Sequence, residues 1–196
     1  MSTRGLFGIR KNGIDKTTYN HCDSYPDWLG KEVAEFVIKT PIEELHKMYD
    51  NIVLVGEGSK VYPDQKKWCF EAGVVNLNVS KQSEDDWYCM LRELQGNLPK
   101  IKSLIDRTGK CYLMDSHEFI KSSLYCEYAY IINLDTEKLE FYIGFQTEPD
   151  ETNRYGKTQM DTEYYPCKCI AEYPLSEITD AGKTVEQMLA DEQGAI

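Results

Sequence analysis

The sequence predicts an α+β fold, an antiparallel or mixed sheet with flanking helices, on three observations. Two β-rich hairpin patterns stand near residues 3–20 and 126–145, amphipathic stretches at helical spacing lie between them, and a further alternating run follows at 167–173. Hairpins separated by helices segregate into layers, because a sheet face and a helix stripe each bury their apolar side against the other.

The first element is a hairpin. Residues 3–9 and 14–20 flank Lys11-Asn12-Gly13, and Asn-Gly supplies the positive φ angles that a two-residue turn demands. After Ser24-Tyr25-Pro26 comes "DWLGKEVAEFVIKT", in which Trp28, Leu29, Val33, Phe36 and Val37 recur on one helical face behind Asp27. Thr40-Pro41 starts a second helix, with Thr40 as cap, Glu43 and Glu44 at the positive end of its dipole, and Leu45, Met48 and Ile52 as its buried stripe. Residues 56–83 break into short apolar pieces among Gly, Pro and Lys and are expected to form an irregular loop able to cover a site.

"SEDDWYCMLRELQGN" reads as a helix capped at Ser83 that buries Trp87, Met90, Leu91 and Leu94 and stops near Gly96, with a short helix over Leu98 to Asp106 behind it. "CEYAYIINLDTEKLEFYIGF" is two β-rich runs around Asp135-Thr136-Glu137-Lys138, and "PCKCIAEYP" adds one more strand. The organisation is one domain over residues 1–180, followed by a helical or flexible tail at 181–196.

Composition narrows the function. With 196 residues, 41% hydrophobic and 12% aromatic, the chain has material for a real core. Lys and Arg total 22 against 33 Asp and Glu, a net charge of -11. That balance excludes a broad grip on nucleic-acid backbones and admits an acidic inhibitor of a basic host-protein surface. No apolar run reaches membrane-spanning length and no basic-then-apolar leader opens the chain, so no membrane partner and a cytoplasmic location are expected. Seven cysteines, an odd number, fit reduced thiols. Cys167 and Cys169 face one side of a strand without the further ligands of a tetrahedral site, so no metal is expected, and no cofactor fingerprint appears.

The candidate site is the polar knot at the open end of the first hairpin. An antiparallel return brings Tyr19, Asn20, His21, Asp23 and Tyr25 back to the end where Ser2, Thr3 and Arg4 begin. Asp23 is expected to hold a His21 tautomer or pair with Arg4, and Asn20 supplies both a donor and an acceptor. The alternative is a polar turn that caps the next helix. Asn153, Arg154 and Tyr155 form a second polar group whose planar guanidinium suits a carboxylate or phosphate, and which is expected to close over the first. Aromatic faces with Arg and Asn suit a small polar or anionic ligand, one with nucleotide-like chemistry included.

The wording "STRGLFG", "YNHCDSYPDWLG", "EYAYIINLDTEKLEFYIGFQTEP" and "NRY" resembles a group of short phage and microbial proteins, over the first thirty or so residues and about 126–173. That resemblance implies an accessory role such as counter-defence or host interaction. A weaker resemblance is to N-terminal nucleophile hydrolases, which open on their nucleophile and run directly into a hairpin. It implies a four-layer sandwich of helices around two sheets and amide hydrolysis by Ser2 or Thr3, although those families usually open on Cys after the initiator Met, where this chain has Ser2. A free α-amine would there serve as the base for the Ser2 hydroxyl.

Overall fold

The computed structural model describes residues 3–160 and 163–195. Strands β1 (Gly5–Lys11) and β2 (Ile14–Asn20) form the expected hairpin, and Asn12 (φ 54°) and Gly13 (φ 75°) make its turn. Strands β3 (Ile52–Val55), β4 (Cys111–Met114), β5 (Tyr128–Asn133), β6 (Lys138–Ile143) and β7 (Lys168–Pro174) complete the strand set. The main sheet has the order β2-β1-β5-β6-β7. It is two antiparallel hairpins joined through one parallel pair, β1 with β5, and extended by β7. Strands β3 and β4 pair in parallel as a small second sheet, tied to the edge of β2 by the Ser116 amide donating to the Thr17 carbonyl at 3.1 Å.

Helices α1 (Lys31–Lys39), α2 (Ile42–Asn51), α3 (Pro63–Ala72), α4 (Trp87–Met90), α5 (Leu98–Thr108) and α6 (Ala181–Ala195) fill the connections. One face of the main sheet carries Phe7, Ile9, Tyr130, Ile132, Leu139 and Phe141, all fully buried in the core shared with α1, α2 and α5. Tyr130 and Phe141 stack with centroids 5.4 Å apart. The other face carries Leu6, Ala129, Ile131 and Tyr142 under Ile120, Cys126 and Cys167. Alternation along each strand explains the division, since successive side chains leave opposite faces.

Several expectations need correction. The described strands form one five-stranded sheet and a two-stranded pair, not two stacked sheets, so the sandwich implied by the N-terminal nucleophile resemblance does not appear among the described residues. Trp28 is 61% exposed, because residues Pro26–Gly30 form a π turn that rotates it off the face of α1. Ile52 opens β3 and does not extend the stripe of α2. The stretch 56–83 contains α3, started by Pro63 and closed at Gly73 in the left-handed region. The helix expected from Ser83 to Gly96 is shorter: Asp86, not Ser83, accepts the Tyr88 amide at 3.2 Å, and the chain tightens to a 3-10 turn at Arg92–Leu94. Of the two alternatives for the tail, helical or flexible, the helical one is found over Ala181–Ala195, with Met188 fully buried.

Candidate functional site

The register of the first hairpin sets the site. Leu6 opposes Tyr19 and Gly5 opposes Asn20, so alternation sends Arg4, Tyr19 and His21 to one side and Asn20 to the other. On the first side the tertiary fold adds residues from three later segments: Tyr88, Arg92, Phe119 and Tyr125. The Tyr19 and Phe119 rings meet edge to face at 5.1 Å, and Tyr88 lies 6.4 Å from Tyr19. The Arg4 guanidinium lies 4.8 Å from the centre of the Tyr125 ring, and that of Arg92 lies 5.7 Å from the centre of Tyr88.

His21 is held by phenols. Its Nδ1 lies 3.1 Å from the Tyr19 hydroxyl and 3.4 Å from the Tyr88 hydroxyl. A phenol donating to Nδ1 needs the lone pair there, which leaves the ring proton on Nε2. Burial lowers the imidazole pKa, and the charges of Arg92 and Arg4 lower it further. The ring is therefore neutral at pH 7. Burial, with Tyr88 beside it, pushes the Tyr19 hydroxyl up to about 12, so it stays protonated as a donor.

Among the described residues, neither Arg4 nor Arg92 forms an ion pair with a carboxylate. Arg92 is steadied by the side-chain oxygen of Gln95, and the chain at Arg4 is pinned by its own amide donating to Glu127 at 3.2 Å. Two guanidinium groups lie on tyrosine faces beside a neutral imidazole N–H donor. In a chain of net charge -11, this is a local concentration of positive charge and donors suited to an anion.

The remaining predicted residues lie elsewhere. Asn20 is buried and structural: its amide donates to the Cys22 carbonyl at 2.6 Å and to the Ser24 hydroxyl at 2.8 Å. Asp23 takes the Cys22 thiol and neither pairs with Arg4 nor holds the His21 ring. Tyr25 turns to Tyr128, 5.9 Å away. Thr3 is buried at 3% exposure, with its carbonyl accepting the Ser24 amide at 3.2 Å. Ser2 lies outside the described residues.

Asn153, Arg154 and Tyr155 do not close over this site. Arg154 forms a two-pronged pair with Glu140, at 2.6 and 2.5 Å, and the Tyr155 hydroxyl donates to Asp15 at 3.0 Å. Both anchors belong to the part of the sheet nearer the hairpin turns, where Arg10 opposes Asp15. The Asn153 amide donates to the Cys167 carbonyl at 2.8 Å. Arg154 is thus a satisfied cation, and Tyr88, Arg92, Phe119 and Tyr125 take the place foreseen for this group. No short-range pattern marks those four, because they reach the site from separate elements.

Comparison with known proteins yields no family model, no curated protein and no solved structure that matches the chain. No described helix is long and apolar enough to cross a membrane.

Proposed function

We propose that this protein binds a small anionic ligand, nucleotide-like in carrying a planar ring beside its charge, on the surface formed by Arg4, Tyr19, His21, Tyr88, Arg92 and Tyr125. The observation that carries this reading is the pair of arginines flanking a neutral histidine, neither with a carboxylate partner among the described residues. Guanidinium forks and the imidazole Nε2–H supply donors for the anion, while the tyrosine rings offer faces for stacking. The resemblance to short phage and microbial proteins supplies a use: sequestering a host small-molecule signal in counter-defence.

Titration calorimetry with adenosine monophosphate, adenosine and inorganic phosphate tests the reading. The monophosphate should bind most tightly, and Arg4→Ala and Arg92→Ala should each weaken it by about tenfold, as loss of a charge-assisted contact does. Saturable binding that neither substitution alters would place the ligand elsewhere, and no binding of either anion would remove the proposal.

A further inference from the structure

The sheet face away from the helices carries a cage of unusual composition. Glu140, only 2% exposed, receives both prongs of the Arg154 guanidinium, the Asn133 amide at 2.6 Å and the Tyr142 hydroxyl at 3.0 Å. The same guanidinium lies 4.0 Å from Asp15, 5.6 Å from the centre of the Tyr142 ring and 5.0 Å from that of Tyr155. Asp15 is itself paired with Arg10 at 2.9 Å. Two carboxylates and two aromatic faces around one planar cation are what guanidinium recognition requires.

Arg154 reaches this cage from outside the sheet. It belongs to the segment of residues 147–160, a strap of turns without helix or strand between β6 and β7. Cavities of about 540 and 580 Å³ lie along the strap. The first is lined by Glu140, Asp150, Cys169 and Glu172, the second by Arg10, Asp15, Asp115 and His117. Among the described residues, Arg154 is the one common to both linings. Its side chain thus borders both, with Glu140 lining the first and Asp15 the second.

We propose that this cage is a guanidinium-binding site occupied by the chain's own Arg154, and that this occupancy latches the strap over the sheet. A free guanidinium compound gains the cage only where Arg154 has left it, and its binding and the closure of the strap are mutually exclusive. The cage is separate from the anion site on the first hairpin and shares none of its residues.

The test uses the full chain, with methylguanidinium as probe and methylammonium as control. Arg154→Ala should lose thermal stability, and millimolar methylguanidinium should raise its melting temperature by about 3 °C, as a ligand selective for the native state does. Methylammonium, which lacks the fork, should not. The double variant Arg154→Ala/Glu140→Gln, without the carboxylate, should show no rise with either probe. Tryptic cleavage after Lys157 in the strap should be about tenfold or more faster in Arg154→Ala than in the unaltered chain. An equal response to both probes, or unchanged cleavage at Lys157, overturns the proposal. Should Arg154→Ala fail to fold, hydrogen exchange on the unaltered chain decides it: strap amides that open well before those of β6 support the latch, and strap amides that open only with the whole sheet overturn it.

Discussion

At the scale of single residues, His21 shows how surroundings assign a role. Its lowered pKa follows from burial and the two arginines, and a bound anion would offset the arginine field. The free protein therefore titrates His21 below its ordinary value and the complex titrates it higher, so binding takes up a proton. Affinity for an anion of constant charge, such as a ring sulfonate, should rise as pH falls from 7.5 to 5.5. The rise should disappear in His21→Gln, as measured by calorimetry at each pH. The sign is fixed by the cause: were a carboxylate the dominant neighbour, His21 would start raised and the dependence would flatten. Tyr19 beside it was legible as a polar aromatic in "YNH", but the hydroxyl of Tyr88 that completes the Nδ1 environment stands 67 residues away.

At the scale of elements, the two hairpin patterns proved the most readable part of the chain, because Asn12-Gly13 fixes its own turn and alternation fixes the faces. What the pattern does not contain is how the hairpins meet. Asp135, in the second turn, accepts the Asn12 and Gly13 amides of the first at 2.6 and 2.9 Å. These bonds hold the Asp135 carboxyl below the usual carboxylate range. A depressed pKa gives stability that is present above the unfolded value and lost as pH falls through the folded one. Asp135→Ala should cost about 1 kcal/mol at pH 7, discounted for the exposed position, and less as pH falls below the unfolded carboxylate value; urea melts across that pH range would check this. By the same logic the expected helix at 83–96 shortened because Asp86, nearer the apolar run, is the better-placed cap.

At the scale of the whole molecule, α6 belongs to the packed fold. Val185 and Met188 are buried, the Tyr128 hydroxyl donates to Glu192 at 2.6 Å, and that of Tyr173 donates to Asp191 at 2.8 Å. Met188→Ala should destabilise the protein by about 2–4 kcal/mol through the cavity it leaves, read as a shift in the denaturation midpoint with the slope unchanged. The helical spacing of Val185, Met188 and Leu189 announced a helix, and only the tertiary fold showed which of them the core accepts: Leu189 is 38% exposed. Parallel pairing of β1 with β5, and of β3 with β4, likewise escapes local reading, since parallel partners are joined by long crossovers whose ends carry no shared signal.

The sequence by itself determined the α+β class, both hairpins with their turns, most helices, and the place of Arg4, Tyr19 and His21 at one strand end. These are set by interactions a few residues apart: turn dihedrals, alternation and helical spacing. Only the tertiary structure decided that Arg154 is spent on Glu140 while Arg92, beside His21, has no carboxylate partner among the described residues. Whether a cation is neutralised depends on which buried carboxylate the fold brings within hydrogen-bond reach, and that distance is a property of packing across the sheet.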